Sequence, residues 1–166
     1  MDMFCYQCEQ TSKGTGCTVA GVCGKDAVTA RLQDLLVYES KEISFYANKA
    51  RQMKLGSPEV DRFLVEALFT TVTNVNFASD TLVARIHRGA DILDLAREMV
   101  ADAAMASGVE PEKLDREIPD FRGNQDELLA LAIKIGVRER MQNRGPDATG
   151  LEELITYGLK GMCAYL

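Results

Sequence analysis

The sequence predicts an all-α protein: a cysteine-rich N-terminal loop, then a three-helix bundle, then the start of a second helical bundle. Three observations carry this prediction. Apolar residues from about Ala27 onward recur at three-, four- and seven-residue intervals, the spacing that lines one face of a helix. The periodic stretches are punctuated by helix-start and helix-stop residues, such as Ser57 with Pro58 and later Gly108. Residues 1–25, in contrast, show no period and place four of the 13 glycines between positions 14 and 24, as in a loop built around something other than an apolar core.

The first predicted helix is long. Leu32, Leu35, Leu36, Ile43, Tyr46, Ala47, Ala50 and Met53 share one face, Asp26 is the expected N-cap and Gly56 the expected stop. The second opens with Ser57 as N-cap, Pro58 at the first helical position and the acids Glu59 and Asp61 complementing the helix dipole. It is expected to run to about Thr71 and to fray over residues 70–77 into a turn, because that stretch is rich in β-branched residues and asparagine; a short strand is the alternative. The third starts at Ser79 or Asp80, carries Leu82, Ile86, Ala90, Leu93, Ala96, Val100 and Ala103 on one side, and ends at Gly108. Short links between these helices predict antiparallel neighbours.

Residues 109–124, which lose the period and contain Pro111 and Pro119, read as a linker. Beyond it, Asn124 with Glu127 and Thr149 with Glu152 match the capping-box pattern, so two further helices are expected near Gln125 and Gly150. The resulting division is 1–26 loop, 27–108 three-helix bundle, 109–124 linker and 125–166 second bundle. Residues 151–166 overlay residues 32–47 with identities at Leu32 and Leu151, Leu35 and Leu154, Tyr38 and Tyr157, Lys41 and Lys160, and Tyr46 and Tyr165. This overlay places Leu166 in the middle of a helix, the expectation for a shortened chain. Cys163 falls in the apolar pattern of Leu159, Met162 and Ala164 and is expected to be a small buried hydrophobe.

Composition bounds the function. Of 166 residues, 46 % are apolar, enough for a hydrophobic core, and 25 acids against 19 bases give a net charge of −6. That balance argues against a nucleic-acid or anionic-membrane binder, and a charged partner is expected to present a basic surface. No apolar run approaches the roughly 18 residues of a membrane span, and residues 1–9 lack basic and apolar leader regions. A cytoplasmic protein is expected.

Five cysteines, four of them in the first 23 residues, fit a secretory disulfide framework poorly. Cys5, Cys8, Cys17 and Cys23 are spaced C-x2-C-x8-C-x5-C. The close pair can grip one centre while the longer arms wrap its other faces, as four thiolates around an iron–sulfur cubane require. A zinc site more often shows a second close pair or a histidine; the sole histidine, His87, lies beside Arg85 and Arg88 on a predicted helix and reads as a surface or interhelical residue. No acid occurs between Glu9 and Asp26, and Lys13 and Lys25 make this loop cationic, which suits a thiolate-bound cluster of net negative charge. Gly14, Gly16, Gly21 and Gly24 allow the close turns that aim backbone N–H groups at sulfur, and Phe4 and Tyr6 flank the first ligand, where they exclude water or pack on the bundle. An iron–sulfur cluster is the first reading; structural zinc and a redox-active Cys5–Cys8 dithiol are the alternatives.

Residues 3–11 (MFCYQCEQT), 16–25 (GCTVAGVCGK), 32–36 (LQDLL), 73–77 (TNVNF) and 157–161 (YGLKG) resemble, in order, segments of the hybrid cluster (prismane) proteins, the hydroxylamine reductase family. The resemblance is to the N-terminal part of that family. It implies a helical first domain of two bundles, a [4Fe-4S] cluster on Cys5, Cys8, Cys17 and Cys23, and electron supply from a small redox donor protein. It also implies reduction of hydroxylamine to ammonia and water, with nitric oxide as a further substrate, at a separate hybrid iron–sulfur–oxygen cluster held by later domains that are not among these 166 residues. On this reading the chain contains no catalytic residue, is inactive alone, and is prone to homo-oligomerise through exposed helix faces. The rival reading is a stand-alone helical module with a structural zinc or iron–sulfur site.

Overall fold

A computed structural model describes residues 3–8, 12–108 and 117–166. Among these residues the fold is all-α: α1 (Ala27–Gln52), α2 (Pro58–Thr70), α3 (Ser79–Ser107), α4 (Gln125–Ile135), α5 (Val137–Arg144) and α6 (Pro146–Cys163). Asp26 caps α1 by accepting a hydrogen bond from the Thr29 amide at 2.7 Å. Ser57 caps α2 through the Val60 amide, and Gly108, at φ 66°, closes α3 in the left-handed conformation. Asn124 and Glu127 form the expected capping box at α4. Residues 71–78 turn without forming a strand.

Four local expectations are corrected. First, α1 ends at Gln52, before Gly56: Lys54 takes the left-handed conformation at φ 63°, and the Leu55 amide reaches back to the Ala50 carbonyl, which closes the helix. Second, Gly136 in extended backbone splits what the sequence suggests as one helix into α4 and α5. Third, α6 begins at Pro146, so Thr149 lies inside its first turn and is not a cap. Fourth, α6 ends at Cys163, with Ala164, Tyr165 and Leu166 beyond it, and Cys163 is only half-buried.

The core forms where α1 lies against α2, α3 and α4. Leu32, Leu35, Leu36 and Ile43 are wholly buried with Leu82, Ile86, Leu93 and Phe63, each such side chain contributing about 1.5–3 kcal/mol. Leu128, Leu129 and Ala132 of α4 join this same cluster, so α4 serves as a fourth wall of the first core. Residues 109–116 of the expected linker lie outside the described residues. Its remainder is well anchored: Phe121 is buried beside Tyr38, Arg122 pairs with Asp91 and Asp94, and His87 donates to the Gly123 carbonyl at 2.9 Å. His87 is thus an interelement tie, as its sequence context suggests.

Helices α1 and α3 cross at Gly89, where any Cβ would collide with the carboxyl group of Glu39. Glu39 is fully buried, and neither carboxyl oxygen has a hydrogen-bond partner among the described residues. Burial pushes its carboxyl up to about 9, against the pull of Arg122, so it is uncharged at neutral pH.

Candidate functional site

The four N-terminal cysteines are organised by short backbone contacts at the N-terminal end of α1. Cys5 and Cys17 face each other in an antiparallel bridge, the Cys17 amide donating to the Cys5 carbonyl at 2.7 Å and the Cys5 amide to the Cys17 carbonyl at 3.0 Å. Gly16 makes this approach possible. Its φ of 131° disfavours a side chain, and a Cβ there would stand 2.8 Å from the Phe4 ring. Cys17 is buried against Met3 and Ala30, whereas Cys5, Cys8 and Cys23 are half-buried. None of the five cysteines is in a disulfide.

A second turn cradles Cys23. The Gly21 amide donates to the Lys25 carbonyl at 2.7 Å, and a Cβ on Gly21 would stand 3.0 Å from the Lys25 Cβ and 3.2 Å from the Cys23 sulfur, so a side chain there would force its neighbours to shift by a few tenths of an ångström. Gly14 and Gly24 take positive φ but border open space, so they turn the chain without pressing backbone on sulfur. Phe4 and Tyr6 stack at a tilt with centroids 5.3 Å apart, and Arg138 stands over Phe4. Burial raises the Cys5 thiol, with Lys25 acting in the opposite direction, and burial raises the Tyr6 phenol.

The loop's two cations have different fates. Lys13 is exposed, while Lys25 is folded inward, 1 % exposed, with its ammonium donating to Gln33 Oε1 at 2.5 Å and 5.9 Å from the Phe77 ring centroid. Among the described residues Lys25 has no ion pair. Gln33 in turn donates to the Asn76 carbonyl, and Thr29 to that of Phe77, so residues 76 and 77 buttress the buried cation.

Cys8 meets α6. A 470 Å³ cavity lies between Tyr6, Gln7 and Cys8 on one side and Glu153, Thr156, Tyr157 and Lys160 on the other, and a 380 Å³ cavity adjoins it past Val72 and Thr73. Lys160 is buried; burial pushes its ammonium down to about 8, while Asp34 acts to keep it charged. Burial likewise pushes Asp34 up to about 6 against the attraction of Lys160. Glu153 pairs with Arg140 at 2.6 Å and with Lys41 at 3.6 Å. Residue spacing does not single out Lys160 and Thr156 as part of the site. The signal available is the polar stripe of Thr149, Glu153, Thr156 and Lys160 along α6, which hydropathy assigns to solvent.

The structure therefore brings Cys5 and Cys17 together, turns Cys23 onto Gly21 and sets Cys8 against α6. Among the described residues no three His, Cys, Asp or Glu side chains converge on a position for a single metal ion, and no helix is long and apolar enough to cross a membrane. The chain matches the Prismane/CO dehydrogenase family over residues 3–166. It is 38 % identical to a hydroxylamine reductase of Clostridium botulinum (strain Kyoto / Type A2) over all of this chain and 32 % of that protein. It is 41 % identical to hydroxylamine reductases of Desulfitobacterium hafniense (strain DSM 10664 / DCB-2) and Thermoanaerobacter pseudethanolicus, in each case over 99 % of this chain and 29 % of the relative. The chain thus spans about a third of the length of these relatives.

Proposed function

The chain belongs to the Prismane/CO dehydrogenase family, and from that membership we propose that it is the N-terminal electron-transfer part of a hydroxylamine reductase. It holds one [4Fe-4S] cluster on Cys5, Cys8, Cys17 and Cys23. The supporting observation is the charge around these thiols: two buried lysines, Lys25 acting on Cys5 and Lys160 across the cavity from Cys8, form no ion pair among the described residues, although Asp34 and Glu153 act on Lys160 electrostatically. A cubane with four thiolates carries net negative charge and spreads its ligands over several corners, which suits this setting. When bound, the cluster supplies one-electron transfer. The chain's own part is to enclose it: Met3 and Ala30 pack behind Cys17, the Phe4 and Tyr6 rings flank Cys5, and Gly21 brings backbone to Cys23.

In this reading electrons arrive from a small redox donor protein in the cytoplasm. Reduction of hydroxylamine to ammonia and water, or of nitric oxide, takes place at a hybrid cluster held by sequence that the longer relatives have beyond these 166 residues. The 166-residue chain alone is inactive, and its outward apolar helix face favours homo-oligomers. Anaerobic loading followed by metal analysis tests the cofactor: about four irons with acid-labile sulfide per chain are expected, and Cys17→Ser is expected to lose most of both. A single zinc without colour sinks the reading in favour of a structural staple, and hydroxylamine reduction by the verified chain overturns the division of labour.

A further inference from the structure

Helix α6 is assembled inside out. Thr149, Thr156 and Lys160 are buried, while Leu151, Leu154, Ile155 and Met162 face outward. Thr156 is satisfied within α6, donating to the Glu152 carbonyl at 2.9 Å, whereas a buried ammonium needs polar or charged groups opposite it, because an uncompensated interior charge costs more than the about 1–3 kcal/mol of an unsatisfied neutral group. Across the 470 Å³ cavity Lys160 faces the turn carrying Cys8; Glu153 also lines this cavity, and Asp34 acts on Lys160 electrostatically without forming an ion pair with it among the described residues. The 380 Å³ cavity on the other flank of Cys8 is also lined by Lys160. Lys160 is 5 % exposed and is the one cation among the described residues lining either cavity. Lys25 approaches the cysteines from the start of α1, and Lys160 approaches from α6.

Resting on the cluster reading above, we propose that Lys160 is a positioning residue for the cluster's charge, a buried ammonium that faces Cys8 and stabilises the reduced form. In that step one electron passes from an external one-electron donor to the cluster, whose net charge becomes one unit more negative. No bond to Lys160 forms or breaks. The test loads the 166-residue chain with iron and sulfide under anaerobic conditions and titrates it with dithionite and mediators, reading the reduced cluster by electron paramagnetic resonance. A wild-type chain that takes up no iron and sulfide overturns the cluster reading itself. Given a loaded cluster, Lys160→Gln is expected to lower the reduced-to-oxidised ratio at the wild-type midpoint about tenfold, ~59 mV for a one-electron couple, with Lys160→Arg close to wild type. An unchanged midpoint in Lys160→Gln overturns the proposal. Should that variant not fold or load, Lys160→Arg decides: in chain labelled with nitrogen-15 at lysine, a weak coupling to the reduced cluster's spin is expected in wild type and reduced in Lys160→Arg. Absence of the coupling from wild type, or its undiminished survival in the variant, overturns the proposal.

Discussion

Helices α1 and α6 carry nearly the same apolar register and bury opposite faces. Leu36 and Ile43 of α1 are 0 % exposed, whereas Ile155 and Met162, which overlay them, are 65 % and 63 % exposed. Their polar stripes, in contrast, lie toward each other, with Lys160 buried, Asp34 and Glu153 half-buried and Lys41 exposed. Asp34 and Lys41 of α1 overlay Glu153 and Lys160 of α6; Lys41 pairs with Glu153, and Lys160 interacts electrostatically with Asp34. Equivalent positions thus act on each other across the two helices, as an ion pair between Lys41 and Glu153 and as a longer-range attraction between Lys160 and Asp34. An amphipathic pattern specifies that a helix has two faces, and its neighbours decide which face is covered. Helix α1 has α2, α3 and α4 against its leucines, while α6 packs on α2 and α5, reaches α1 through Lys41 and Glu153, and faces the cysteine loop with Thr156 and Lys160.

The comparison can be broken most directly at the overlaid apolar positions. Leu36→Ala is expected to cost about 2–5 kcal/mol in urea unfolding, and Ile155→Ala at most about 0.5 kcal/mol; equal losses would mean that α6 buries its leucine face after all. Ile155→Glu should also weaken self-association, and a wild type that sediments as a clean monomer at high concentration counts against an adhesive α6 face. Next in size is Glu39, which has no acidic counterpart in α6, since Gly158 overlays it. Its carboxyl rises from 4.5 to about 9 on folding, so the folded state binds the extra proton between those values. Stability from this group is full below about 4.5 and falls as pH rises toward about 9, by about 1.4 kcal/mol per pH unit. Glu39→Gln should flatten that slope when unfolding is followed at pH values across the window.

Smaller effects separate the two N-termini. Asp26→Ala removes a capping hydrogen bond and is expected to cost about 1 kcal/mol. Thr149 sits inside α6 with its buried hydroxyl lacking a hydrogen-bond partner among the described residues, so Thr149→Val should be neutral or slightly stabilising. A loss in Thr149→Val comparable to that of Asp26→Ala would restore Thr149 to the capping role that the Thr149 and Glu152 spacing suggests.

The candidate site was partly legible. Cysteine spacing and the absence of acids between Glu9 and Asp26 point to an anionic metal group, and the glycine density points to tight turns, because these are local properties. That Gly16 and Gly21 are the glycines under steric constraint, and Gly14 and Gly24 are not, depends on what lies above them: the Phe4 ring and the Cys23 sulfur. Lys25 and Lys13 look equivalent along the chain, yet only Lys25 is drawn inward, by Gln33 and Phe77. Lys160 was visible as part of a repeated pattern, without an indication that it faces a cysteine.

By itself the sequence determined the all-α class, the caps at Asp26, Ser57 and Asn124, the Gly108 stop and the family, since helical period, capping chemistry and short motifs act over a few residues. Only the tertiary structure decided that α4 belongs to the first core, that Glu39 is sealed against Gly89, and that α6 shows its leucines outward while Lys160 turns toward Cys8. Burial is a property of pairs of surfaces, and the hydrophobic gain from covering a face exists only when another element arrives to cover it.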